Sequence, residues 1–381
     1  MSYCNFAIPI YSPERPIPER IYLDHAATTP LRPQARDAML EGFAIWANPS
    51  SPHGEGRKAK QALEDARSRI KAACDWDGEV IFTGGASEAA RIAFDHSNVL
   101  HRVVSGVEHD AIHGFTRSVD VDILPVEPDG SISAESLHDA TARADRVPDE
   151  RQNRALAAIQ HVNSETSNRQ DIETLAQVVH SNQGLILVDC SQSAGKFAIP
   201  TMADMAMIAA HKFGGPIGVG ALLVKDFAML APTGGHERGY RRGTENLPGI
   251  MGMAAALECS GETYADADAL TRLDQFGAAV RDAGGSWLRD RLSLPTPYIA
   301  AMAMPGLSGS AQLMRFDMAG IALSQGSACS SGTLKQSHVL TAMGIDEDTA
   351  SRTIRVSIGW NTQAQDVERF CTAWIDMAGG K

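Results

Sequence analysis

MAMIAAHKFGGPIGVG, residues 205–220, decides how the chain is read. Residues 205–209 are a short apolar run of strand character. It stops at His211-Lys212, a glycine-rich loop follows, and residues 221–224 resume as a second strand. An ammonium at the end of a buried strand costs free energy unless it is paired or loses its proton. A lysine with a lowered pKa is a good amine nucleophile, which is what Schiff-base chemistry requires. Most lysines simply reach solvent, so Lys212 decides nothing without partners elsewhere.

Working outward, short apolar runs recur at 79–82, 102–107, 121–126, 156–162, 185–189 and 219–224, with helical periodicity at 134–145 and 171–181. Strands alternating with helices predict an α/β fold with a mostly parallel sheet. Chemistry in such sheets gathers at the carboxyl ends of the strands. The polar residues stand there: His109, Asn163, Asp189 with Gln192, and His211-Lys212. EVIFTGGASEAARIAF (79–94) reads as a strand, a glycine turn and a helix from Ser87. That puts free backbone N–H groups near Ala86 and Ser87, as a phosphate cradle or an ordinary strand-to-helix turn. N-terminal to this lie a strand at 21–23, a helix at 35–47, a turn-rich loop at 48–57 and a helix at 57–74. Beyond residue 255 the pattern changes to helices at 250–265, 270–292, 337–343 and 364–377, with strands at 298–304 and 353–358. The expected division is a large domain over 20–255 and a smaller α+β domain formed by 1–19 and 256–381.

The 381 residues carry a net charge of -12, which favours neither nucleic acid nor an anionic membrane as partner. No apolar run reaches membrane-spanning length, and the first twenty residues lack a secretory signal. Six scattered cysteines, without CxxC or zinc spacing, suggest reduced thiols and a cytoplasmic protein.

If Lys212 forms an imine with an aldehyde cofactor, pyridoxal phosphate makes four demands: a carboxylate for its pyridine nitrogen, a donor for its phenolic oxygen, a phosphate cradle and a flat group over its ring. Asp189 closes the apolar run LILVD and suits the first; its alternative is a turn or cap aspartate. Gln192 and Asn163 suit the second, or are turn residues. Gly85, Ala86 and Ser87 supply the cradle. His109 can stack, or be a satisfied polar residue at a strand end. SQGSACSSGT (324–333) sets Cys329 in a loop of small residues, where a thiolate is exposed and backbone N–H groups can stabilise it. TIRVSIG (353–359) sets Arg355 among apolar residues, as a carboxylate receptor or a structural ion pair.

Together these segments resemble the NifS/IscS-type cysteine desulfurases, in the class V aminotransferase group of fold-type I pyridoxal-phosphate enzymes. The likeness rests on YLDHAATTP (22–30), NPSSPHGEGR (48–57), EHDAIH (108–113), HVNSETSNRQDI (161–172), VDCSQSAGK (188–196), HKFGGPIGVGAL (211–222), GGHERGYRRGTENLPG (234–249), GSACSS (326–331) and RVSIG (355–359), in the family's order. It implies that Lys212 carries the cofactor and moves the Cα proton, and that His109 stacks on the ring and shares in proton transfer. It implies that Asp189 pairs with the ring nitrogen, that Gln192 and Asn163 hold the phenolic oxygen, and that Ala86, Ser87 and His211 bind phosphate. Thr244 would reach the phosphate from the other subunit of a homodimer. Arg355, with Asn163, would bind the carboxylate of L-cysteine. Cys329 would take up sulfur as a persulfide, release alanine, and pass sulfur to an acceptor such as an iron–sulfur scaffold protein. Departures are Ser87 for threonine, Ala209 for serine, Ser164 for asparagine, Ser167 for glycine, and a stretch at 292–322 expected to be pared down. A selenocysteine lyase, a transaminase or a non-catalytic scaffold of the same fold are the rival readings.

Overall fold

The computed structural model describes residues 20–118, 121–142, 154–260, 264–326 and 337–380. The strands Leu185–Asp189 and Met205–Ala209 are buried at every position, as parallel strands covered on both faces must be. They sit inside a seven-stranded sheet in the order Glu79–Thr83, Gly220–Val224, Met205–Ala209, Leu185–Asp189, Ala155–Gln160, His101–Ser105, Val121–Leu124. Gly220–Val224 alone runs antiparallel to its neighbours; the other pairings are parallel, in line with the expected mostly parallel sheet.

The register brings the site together. Gln160 stands opposite Asp189, and Gly220 stands opposite both Ala209 and Thr83, so the carboxyl ends of the parallel strands share one edge. A Cβ on Gly220 would come within 2.6 Å of the Ile208 carbonyl and 2.7 Å of Gly85 Cα. Glycine there lets the turn after Glu79–Thr83 lie close over Ala209. One face of the sheet is covered by a core including the helices Pro33–Ile45, Gly54–Ala73 and Leu247–Glu258, the other by the helix Ala86–His96. Ten of the twelve residues of Leu247–Glu258 are buried, and its sequence is correspondingly apolar all round.

A second core lies under the antiparallel sheet Thr353–Ser357, Ile299–Ala303, Ser286–Trp287. The helices Ala267–Asp282 and Ala364–Ala378 close it, with Phe276 edge-on to Trp374 and Phe370 at 5.6 Å between ring centroids. One sequence expectation is corrected here. The helix expected over 270–292 ends at Asp282 because Gly284 takes φ 77°, and Ser286–Trp287 joins the sheet instead. Residues 21–26 also pack in this second core: Ile21 pairs with Ile321, and Leu23 and Ala26 are buried among its side chains. The stretch expected to be pared down still carries the strand Ile299–Ala303 and a helix, Gly309–Met318, capped by Ser308.

Buried histidines link this packing to pH. Burial, reinforced by Lys196 and Arg32, lowers the His25 pKa to about 3; burial and then Arg169 lower that of His161 to about 4. Both lie below the unfolded value of about 6.5, so unfolding takes up protons once the pH falls beneath it. Their contribution is complete above that value and fades with acid, by about 1.4 kcal/mol per pH unit for each histidine. Urea unfolding from about pH 6.5 down to about pH 4.5 is expected to show that slope, and a flat profile would contradict it.

Candidate active site

A cavity of about 560 Å³ opens at the carboxyl edge of the large sheet, lined among others by the turn residues Gly84, Gly85, Ala86 and Ser87 and by His109, Asp189, Gln192, His211 and Lys212. Lys212 ends the tight turn Ala210–Lys212 that follows the strand Met205–Ala209. Its Nζ donates to the carbonyls of Ala26 at 2.7 Å and Ala27 at 3.0 Å. Asp189 is 6% exposed, accepts from Ser191 N at 2.8 Å, and makes no ion pair among the described residues. A carboxylate so placed calls for a cation. Gln192 donates through Nε2 to Ala26 O at 2.8 Å, while its Oε1 is buried without a partner among the described residues. Ser191, not singled out from the sequence, also lines the cavity, and its Oγ is another buried atom without a partner among the described residues.

Glu108 was missed as well. It is fully buried and accepts from Gln160 N at 2.7 Å. Burial, and then the Asp189 charge, hold its carboxyl well above the usual carboxylate range. His109 caps the helix Asp110–His113: its Nδ1 accepts from Ala111 N at 3.1 Å, which places the proton of the neutral ring on Nε2. Desolvation lowers its pKa; Asp189 opposes the shift and Lys212 adds to it. The His211 pKa falls to about 4, chiefly through desolvation and then Lys212, and its Nδ1 lies 3.1 Å from Thr28 Oγ1.

The glycine turn meets the N-terminus of the helix Ala86–His96, with Gly85 at φ 146°. The first-turn N–H groups of a helix lack intrahelical acceptors and carry the positive end of its dipole. Ala209 also lines the cavity but offers no hydroxyl. Glu88 intrudes on the cradle, accepting from Gly84 N and from Arg241 Nε at 3.0 Å.

Four predicted residues stand apart. Asn163 does not line the cavity, although Val162 and Ser164 do. Its Oδ1 accepts from the Glu165 and Thr166 backbone, and its Nδ2 donates to Val107 O at 3.1 Å. Arg355 is buried outside the cavity lining, with Nη2 2.6 Å from Asp24 Oδ1 and Nη1 donating to Ser164 O at 2.9 Å; its Nε has no partner among the described residues. Thr244 sits on an exposed loop outside the cavity of its own chain. Cys329 lies outside the described residues.

The buried carboxylate of Asp189, the unpartnered Gln192 Oε1 and Ser191 Oγ, and a helix N-terminus opening beside a lysine fit the polar ends of pyridoxal phosphate. The comparisons agree. Residues 21–370 match the family described as aminotransferase class-V. A cysteine desulfurase of Cereibacter sphaeroides is 36% identical over 375 residues, 92% of this chain and 94% of that protein. A NifS-like protein from Rickettsia africae shares the fold, with TM-score 0.83 at 24% identity over 95% of this chain and 100% of that one. The structure of SspA in complex with cysteine matches at TM-score 0.73 and 29% identity, over 90% of this chain and 99% of that one. Site and relatives together place this chain in the class-V aminotransferase family, among its cysteine desulfurases.

Proposed function

We propose that the protein is a pyridoxal-phosphate-dependent cysteine desulfurase that moves sulfur from L-cysteine onto Cys329 and releases L-alanine. The carrying observation is that Lys212 and the buried Asp189, without an ion pair among the described residues, line one cavity with a helix N-terminus. In this reading Lys212 anchors the cofactor's aldehyde, Asp189 holds its ring nitrogen, and Gln192 and Ser191 offer partners to its polar ring substituents. Ala86, Ser87 and His211 hold its phosphate. When bound, the cofactor supplies an electron sink for negative charge at the substrate Cα.

The chain supplies the rest. Lys212 Nζ takes and returns the Cα proton. The His109 ring, with Nδ1 tied to its own helix, presents Nε2 to the cavity for proton transfer. Arg355 receives the substrate carboxylate by exchanging its contact with Asp24. The Cys329 thiolate bonds to the substrate sulfur as the Cβ–S bond breaks; the electron pair stays with carbon, which takes a proton and becomes alanine. The persulfide then passes sulfur to an acceptor such as an iron–sulfur scaffold protein.

The protein acts as a homodimer in this reading. Leu40, Phe43 and Trp46 are 60%, 61% and 79% exposed at one end of the helix Pro33–Ile45, an apolar surface suited to a second copy. Thr244 on its exposed loop would then face the partner's phosphate. The four described cysteines are free thiols, in keeping with a reducing, cytoplasmic setting.

The test is to load the full-length protein with pyridoxal phosphate, add L-cysteine and a reductant, and measure products. Alanine and sulfide in equal amounts are expected from a yellow protein. Pyruvate with ammonia would point to a different lyase, and a protein that never colours would revive the scaffold reading.

A further inference from the structure

We propose that Asp110, His113 and His338 form a binding site for a divalent transition-metal ion of the zinc, cobalt or nickel class. Two ligands come from the short helix Asp110–His113, directly after His109; the third opens the helix His338–Ala342. Each side chain offers one ligand atom, and the three atoms lie within 4.8 Å of one another. Small rotamer adjustments bring atoms so grouped to the distances of about 2.0–2.2 Å that nitrogen and carboxylate ligands keep from zinc. The His113 and His338 rings are 4.1 Å apart between centroids and inclined at 32°.

A second observation bears on the same point. His338 Nε2 lies 2.8 Å from the Glu108 carbonyl, so that nitrogen carries the proton and Nδ1 keeps its lone pair. Metal-binding histidines are oriented in this way, by donating the other ring N–H to a carbonyl or carboxylate. The start of the His338 helix is itself fixed: Ser337 Oγ accepts from Leu340 N at 3.1 Å and donates to Glu165 Oε2 at 2.6 Å. Two imidazoles and one carboxylate are borderline donors, which favours zinc, cobalt or nickel over calcium or magnesium. Three protein ligands leave room for water, and exposed Asp110 gives the ion a path from solvent. A bound ion would tie the turn after His109 to the helix His338–Ala342. None of the three side chains has a part in the chemistry proposed above.

The experiment titrates the full-length, cofactor-loaded protein with Zn²⁺ by calorimetry and with Co²⁺ by visible absorption. Cys329→Ser, Asp110→Asn and His113→Gln are carried alongside, and far-UV circular dichroism checks their folding. Wild type and Cys329→Ser are expected to bind a single ion per chain, with a Co²⁺ spectrum free of thiolate charge-transfer bands. Asp110→Asn and His113→Gln should bind at least about tenfold more weakly, the loss that even outer partners of a metal site produce. Zn²⁺ should also raise the melting temperature of wild type more than that of His113→Gln. Lack of uptake by wild type, equal uptake by all four proteins, or uptake lost only in Cys329→Ser would overturn the proposal.

Discussion

Replacing Lys212 by alanine is expected to lower alanine formation from L-cysteine by at least about 10⁴-fold, the upper range for a group that transfers protons in a transition state. Two roles converge on this one nitrogen, as cofactor anchor and as mover of the Cα proton, so no neighbour replaces it. Lys196, a half-buried lysine nearby, is held over the rings of Tyr264 and Tyr298 at 4.5 Å and 4.9 Å. The fold should survive the change. Lys212 Nζ donates to the carbonyls of Ala26 and Ala27, and truncating it removes an amine from the cavity rather than core volume. Product assays under single-turnover conditions, beside a melting curve, separate the two effects. Residual turnover within tenfold of wild type would remove Lys212 from the chemistry.

Glu237→Ala is expected to destabilise the protein by about 3–5 kcal/mol, the range for stranding one partner of a buried ion pair. Glu237 and Arg67 form a forked pair at 2.8 Å and 3.0 Å, with side chains 1% and 6% exposed. Glu237 also accepts from Phe82 N at 2.8 Å, and Arg67 donates to Val80 O at 2.6 Å while lying 4.4 Å over the Phe82 ring. The pair thus ties the helix Gly54–Ala73 and the loop before Thr244 to the strand that leads into the glycine turn. Alanine would leave the buried Arg67 guanidinium with only the more exposed Glu64 as ionic partner, and an unmet Phe82 N–H in the interior. The double variant Arg67→Met, Glu237→Leu should recover much of the loss, because neither group is then stranded. Urea unfolding of the three proteins measures both; a loss below about 1 kcal/mol for Glu237→Ala would place the pair effectively in solvent.

These two effects also mark where sequence reading succeeds and stops. Lys212, Asp189 and the Gly84-Gly85 turn were legible because each follows a short apolar strand, a pattern written in a handful of adjacent residues. The Arg67–Glu237 pair spans 170 positions and the Arg355–Asp24 pair 331, and no local pattern carries such distances. Arg355 itself was legible as a guanidinium among apolar neighbours; its resting partner was not. The same holds for Ile21, whose strand partner is Ile321, and for Glu108, whose raised pKa comes from burial and then from Asp189 across the sheet. Asn163 is tied to the backbone in this structure. Its position after a strand suggested a ligand contact, but side-chain amides at such corners also serve the backbone, and here the Glu165 and Thr166 N–H groups claim it. The helix expected over 270–292 was overextended because its apolar period outweighed the glycine pair at 284–285 that stops it.

The most direct test of desulfuration through a protein persulfide compares wild type with Cys329→Ser, both loaded with pyridoxal phosphate and given L-cysteine and a reductant. Equal amounts of alanine and sulfide from wild type, with both lost in Cys329→Ser while its yellow colour is retained, is the predicted result. Alanine and sulfide from both proteins would contradict it, since the sulfur would then leave without passing through Cys329.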